Sequence, residues 1–158
     1  MSLGGEHTDL FIGGQWRAAS AAGRIEVVNP ATEEVWASVP DADAADVDAA
    51  VRAARAALPD WRGIGAAARA EVVLRFADEL AVRGEGMARV ITAENGTPIA
   101  ETSAAASHSA GILRYFATLA DLVDAVDVRP FPNAPGSYTE VSREAVGVCA
   151  LIAPWNFP

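Results

Sequence analysis

The stretch Gly147-Val148-Cys149-Ala150-Leu151-Ile152-Ala153-Pro154-Trp155-Asn156-Phe157-Pro158 decides how the chain is read. Its first half is a short apolar run, the pattern of a strand buried on both faces in a parallel sheet. Pro154 has no N–H to give to a ladder and ends that run, so Trp155 and Asn156 fall just past the strand. Open α/β sheets bind ligands in the crevice outside the carboxyl ends of their strands. An indole and a neutral amide there suit a flat cofactor and a carbonyl to be polarised. The Asn156 amide is a candidate donor to an oxygen that gains negative charge under nucleophilic attack, a role worth about 3–4 kcal/mol. The same residue also suits the cap of a following helix, with Pro158 in its first turn. Spacing leaves both roles open. Trp155 reads as packing as readily as it reads as a cofactor wall.

Composition sets the limits. The chain has 158 residues, enough for one ordinary domain, with 51% hydrophobic and 21% charged residues, the balance of a globular protein. A formal charge of −9 disfavours nucleic acid and anionic membranes as partners. No apolar run is long enough to span a bilayer. The N-terminus has neither the basic start nor the apolar core of a signal peptide, so a cytoplasmic location is expected. Residues 1–4 are set aside from the fold. One cysteine and two separated histidines provide neither a disulfide framework nor zinc spacing, and no metal site is expected.

The first elements are strands. Asp9 to Ala19 reads as a hairpin turning through Gly13-Gly14. Ile25–Val28 and Val35–Val39 form a second pair around the Asn29-Pro30-Ala31-Thr32-Glu33 turn. Helices follow. Asp43 caps a helix to about Leu58, with Val47, Val51, Ala54 and Leu58 on one face and Pro59 and Gly63 ending it. Asp41, Asp43, Asp46 and Asp48 at its start read as dipole partners and a solvated face. A second helix starts near Ala66 and turns Val73, Phe76, Ala77 and Leu80 inward, with Gly84 and Gly86 interrupting. A third, from Met87 to Glu94, stops at Asn95-Gly96. Thr97 and Pro98 restart the chain as N-cap and first helical residue. The longest helix then runs to about Val123 with Ile112, Tyr115, Phe116, Leu119, Leu122 and Val123 on a broad apolar face. Val128 to Gly136 reads as a Pro-rich connector, and Tyr138 to Arg143 as a strand with one solvated face.

The pattern Gly-Val-x-x-x-Ile-x-Pro-Trp-Asn-Phe-Pro at 147–158 resembles a signature of the NAD(P)-dependent aldehyde dehydrogenase superfamily. Phe11-Ile12-Gly13-Gly14-Gln15-Trp16 and the Asn29-Pro30-Ala31-Thr32-Glu33-Glu34 turn are similar to the same family. The implied fold is α/β, the N-terminal part of an aldehyde-dehydrogenase-like fold. It comprises a β-hairpin lead-in, helices and the first strand of a doubly wound dinucleotide-binding sheet. Residues 1–136 would be the lead-in and helices of the NAD(P)-binding domain. Residues 137–145 would start an oligomerisation arm, and 146–158 would be the first strand of the sheet. The family's stretch before that strand often has Pro where Ala145 stands.

The resemblance also implies a chemistry. An aldehyde is oxidised to a carboxylic acid through a cysteine thiohemiacetal and thioester, with NAD or NADP as cofactor and a homodimer or homotetramer as assembly. Asn156 takes the catalytic, oxyanion-hole role, and Ile152, Pro154 and Trp155 lie along the dinucleotide. The family's nucleophilic cysteine and general-base glutamate come downstream of this motif, so a 158-residue chain is expected to be the front of a longer enzyme and inactive alone. The alternatives are a non-catalytic binding or assembly module of the same fold, and a branch that passes the acyl group to coenzyme A. The substrate aldehyde and the choice of NAD or NADP are not legible.

Four other features look chemical and read more simply. Cys149 lies inside the apolar strand and reads as a buried, inert residue. Gly63-x-Gly65-x-x-Ala68 fits a loose dinucleotide fingerprint, yet it lies between two helices and reads as a turn. His108 has no ligand-spaced partner and His7 lies near the terminus. Glu94 and Glu101, flanking Asn95-Gly96-Thr97-Pro98, read as helix-end charges.

Overall fold

Two glycines set the first element. The computed structural model describes residues 9–156; residues 1–4, His7, Phe157 and Pro158 lie outside the described residues. Gly13 and Gly14 take φ of 63° and 80°, the left-handed values that a two-residue hairpin loop requires at both positions. They join β1 (Leu10–Ile12) to β2 (Gln15–Arg17) as an antiparallel pair. Cross-strand partners Phe11 and Trp16 bring their rings to 5.0 Å at a tilt of 56°.

The second expected pair also forms. β3 (Arg24–Asn29) and β4 (Glu34–Pro40) are antiparallel, with a bulge after Val27 that leaves Trp36 without an opposite residue. The turn between them is closed by Asn29: its Oδ1 accepts from Ala31 N at 2.9 Å, and its carbonyl accepts from Glu33 N at 2.8 Å.

α1 (Ala44–Gly63) starts at Asp43, whose carboxylate accepts from Ala45 N and Asp46 N. Asp46 returns the favour, accepting from Asp43 N at 3.3 Å in a capping box. The helix runs five residues past the expected end. Pro59 gives up its own N–H, but the residues after it keep helical geometry and Ile64 N–H still reaches Asp60 O at 3.2 Å. Ile64 is a one-residue joint to α2 (Gly65–Val82), so the Gly63–Ala68 pattern is the helix–helix turn expected of it.

α3 (Gly84–Asn95) follows after Arg83, and α4 (Ile99–Thr118) follows Pro98. Pro98, and not Thr97, occupies the cap position; it has no side chain to cap with, and its carbonyl takes the Glu101 and Thr102 N–H groups. The helix expected to continue to Val123 breaks at Leu119, giving a short α5 (Ala120–Asp124). Thr118 Oγ1 turns back to the Tyr115 carbonyl at 2.7 Å just before the break, a local bond that competes with the helical ladder.

α4 packs on α2 and α3. Its contact face is a stripe of small residues: Thr102, Ala106, Ala110 and Ala117 are buried, against Ala77 of α2 and Ala88 of α3. Small residues let helix axes approach toward the near end of the usual range of about 8–10 Å. Ala77 points inward as expected, but Phe76 does not and is 59% exposed. The apolar face of Ile112, Tyr115, Phe116, Leu122 and Val123 is likewise exposed. Helical period identified these residues as one face but could not distinguish the face that meets α2 and α3 from the face left bare.

β5 (Asp127–Pro130) pairs with β6 (Tyr138–Val141) as a third antiparallel hairpin. The expected connector therefore begins as a strand, with Pro130 tolerated at its end because this pair has open edges. After β6 no strand pairing occurs among the described residues. The apolar run of 147–153 lies unpaired, with Leu151 95% and Ile152 91% exposed. A strand needs a neighbour to satisfy its backbone, and no described segment provides one. Cys149 is accordingly exposed rather than buried.

Asp46 departs furthest from its expected surface role. It is 1% exposed and accepts from Ser20 N at 3.1 and 3.0 Å and from Ser20 Oγ at 2.8 Å, tying the segment after β2 to α1. The Ser20 hydroxyl bond lowers its pKa below the ordinary 3.8, outweighing burial, which acts in the opposite direction. The stability from these bonds is therefore complete above about pH 4 and is lost as pH falls through the lowered folded pKa. Asp46→Asn should lower the urea midpoint at neutral pH and flatten its fall below pH 4. An acid limb as steep as that of the unsubstituted chain would contradict this role.

Candidate functional site

The α3–α4 junction is where the chain's polar signals meet. α3 ends because Gly96 takes φ 78°, a left-handed cap whose N–H reaches Thr92 O at 3.0 Å. Asn95 Oδ1 accepts from Thr97 N at 2.9 Å, which fixes the orientation of its amide. Asn95 Nδ2 is then shielded from solvent and has no partner among the described residues, a deficit that ordinarily costs about 1–3 kcal/mol. Thr92 and Thr102 bridge the two helices through their hydroxyls at 3.0 Å. The β3–β4 turn closes over the junction: a Cβ added to Gly96 would come within 2.8 Å of Pro30 Cγ.

A pocket of about 470 Å³ opens beside this junction. Ile91 and Asn95 from α3, Glu101, Ala105 and His108 from α4, and Asn156 from the C-terminal segment line it. Asn156 is thus carried back onto the helices. Ile152, Pro154 and Trp155 are exposed and do not line the pocket; Trp155 is 86% exposed. Of the four residues singled out in the motif, Asn156 alone lines this pocket.

Glu101 and His108, a helix-end charge and an isolated imidazole by sequence, both line the same pocket as Asn156. Their spacing of seven residues, with Ala104 and Ala105 between, puts them on one helical face, and that was the available signal. Glu94 lies outside the pocket; partial burial raises its pKa. Among the described residues no group of three or more His, Cys, Asp or Glu could hold a metal. No helix among them is long and apolar enough to cross a membrane.

A sequence model of the aldehyde dehydrogenase family matches residues 16–158. The chain belongs to the aldehyde dehydrogenase family. Geranial dehydrogenase of Castellaniella defragrans is 40% identical over 156 residues, covering 97% of this chain and 32% of that protein. Aminoaldehyde dehydrogenase 1, peroxisomal, of Malus domestica is 36% identical, over 94% of this chain and 31% of that protein. Among solved structures, succinate-semialdehyde dehydrogenase from Burkholderia pseudomallei superposes with a TM-score of 0.87 at 37% identity, over 94% of this chain and 30% of that one. A betaine aldehyde dehydrogenase variant from Staphylococcus aureus in complex with NAD+ gives 0.91 at 29% identity, over 100% and 32%. The chain therefore spans about a third of the length of these relatives, and its helices and hairpins form the N-terminal part of an aldehyde dehydrogenase fold.

The Gly96 cap holds the Asn95 side of the pocket in place. Gly96→Ala should lower unfolding free energy by about 1–2 kcal/mol from the left-handed backbone alone, and by more once the methyl meets Pro30. Chemical denaturation would measure it. A midpoint unchanged from that of the glycine chain would contradict the tight junction.

Proposed function

We propose that this chain supplies the oxygen-stabilising amide and part of the cofactor wall of an NAD(P)-dependent aldehyde dehydrogenase, which converts an aldehyde to a carboxylic acid through a cysteine thiohemiacetal and thioester. One observation carries the reading: Asn156, in the Pro-Trp-Asn segment, lines the open pocket beside α4. Its Nδ2 is a neutral donor whose strength does not depend on pH. Donated to the aldehyde oxygen, it grows stronger as that oxygen takes up negative charge, so it favours the transition state over the bound substrate.

The residues in hand fit one part of a dinucleotide. Trp155 presents a bare indole that pairs with no aromatic ring among the described residues, and Ile152 presents an exposed aliphatic chain. Such surfaces suit the flat and ribose portions of NAD(P), with Pro154 holding the turn between them. No Gly-rich turn leads from a paired strand into a helix among the described residues, so the pyrophosphate has no counterpart here. When bound, NAD(P) accepts the hydride. Ile152 and Trp155 would keep water from its face, and Asn156 would hold the aldehyde oxygen. In this reading residues 146–158 pair as the first strand of the dinucleotide-binding sheet, residues 1–136 form the lead-in and helices, and 137–145 begin an arm that builds a homodimer or homotetramer.

In the complete protein, Asn156→Ala should reduce kcat by about 10²–10³-fold with little change in KM. Steady-state NADH formation from an aldehyde would measure both. A variant with unaltered kcat, or one that loses only stability, would contradict the oxyanion role and favour a helix-capping asparagine.

A further inference from the structure

A second cavity, of about 390 Å³, lies where the α1–α2 joint meets α5 and the segment after β6. It shares no lining residue with the Asn156 pocket. Arg62 from the last turn of α1, Arg69 from α2 and Arg143 from the segment after β6 line it, together with Asp124 and Glu144. The chain as a whole carries a charge of −9, and its 12 basic residues are all arginines. Three guanidiniums on one cavity run against that field.

Arg69 is the fixed member. Its Nη2 donates to both Asp124 oxygens at 2.6 Å and its Nη1 to the Arg62 carbonyl at 3.2 Å, which ties α2, α5 and the end of α1 at one point. Its side chain is only 19% exposed, and Asp124 cancels its charge. The other two arginines have no such partner. The Arg62 guanidinium makes no hydrogen bond or ion pair among the described residues. A helix C-terminus attracts a cation, which accounts for where Arg62 sits but engages none of its donors. Arg143 gives a single N–H to the Leu122 carbonyl, at 3.3 Å. Glu144 is also without an ion pair and offsets part of this charge, so the wall stays net positive.

A guanidinium presents parallel N–H groups that match two oxygens of a phosphate, and it stays charged at any working pH. The cavity leaves room beyond the phosphate itself, where the Trp61 indole and Val123 form an apolar wall. We infer that this cavity is a phosphate-binding site, with Arg62 and Arg143 as its free ligands beside the anchored Arg69, taking inorganic phosphate or a small phosphate monoester. The site lies apart from the aldehyde chemistry and does not rest on it. Its occupant joins the α1–α2 joint to the segment that leads into the 147–153 run, so binding stabilises the native state.

Calorimetric titration of the complete protein tests this, with inorganic phosphate in one arm and glycerol 3-phosphate in the other. Ionic strength is matched with sodium chloride, and NAD(P) is kept in excess so that a dinucleotide site contributes nothing. Saturable binding of at least one probe is expected. Tighter binding of the ester assigns the site to a phosphate monoester, and equal or weaker binding assigns it to free phosphate. Arg62→Gln and Arg143→Gln should each weaken the tighter probe by about fivefold, the upper size of an exposed charge pair. Glu144→Gln should tighten it, a gain that no folding defect produces. Circular dichroism without phosphate checks that each variant is folded. No saturable binding of either probe, affinity unchanged by both arginine substitutions, or a Glu144→Gln protein that binds no more tightly would overturn the inference.

Discussion

Close packing of α4 against α2 and α3 is the contact on which the rest of the structure depends. The buried face of α4 is Thr102, Ala106, Ala110 and Ala117, residues too small to bury much area but small enough to let three helices approach. Alanine also has the highest intrinsic helix propensity, so the stripe strengthens the helix that it packs. That approach brings the C-terminal end of α3 beside the N-terminal half of α4, and the pocket opens between them. Gly96 closes α3 with a left-handed cap, and Pro98 opens α4, its carbonyl taking the first helical N–H groups.

The second constraint is what the packing leaves bare. Tyr115, Phe116, Leu122, Leu151, Ile152 and Trp155 are all more than half exposed. These side chains leave a large share of the chain's apolar area facing solvent. The 147–153 run adds a backbone without ladder partners. A segment of this composition is stable only when its N–H and C=O groups and its side chains are covered together, as they are within a parallel sheet.

Much of the local structure was legible because its causes are local. Gly13-Gly14, Asn29-Pro30, Asp43 and Asn95-Gly96 each fix a turn or cap within four residues, and all four formed where expected. The helical faces were less legible. Phe76 and Tyr115 follow the period of a buried stripe, but period does not say which of two apolar stripes meets the neighbour, and the alanines won. Asp46 looks solvated in sequence because the partner that buries it, Ser20, lies 26 residues away. Pro59 looks like a stop in sequence, but the flanking turns carry the helix past its one missing hydrogen bond. The motif pointed to Asn156, whereas its meeting with Glu101 and His108 depended on tertiary packing that no spacing encodes.

The account rests on one donor aimed at one oxygen. The most direct measurement is a structure of the complete protein with an aldehyde or its addition product bound. The proposed oxyanion role predicts Asn156 Nδ2 at ordinary hydrogen-bond distance, about 2.9 Å, from the substrate oxygen. Asn156 turned away to cap a helix, with the oxygen held by other donors, would contradict it.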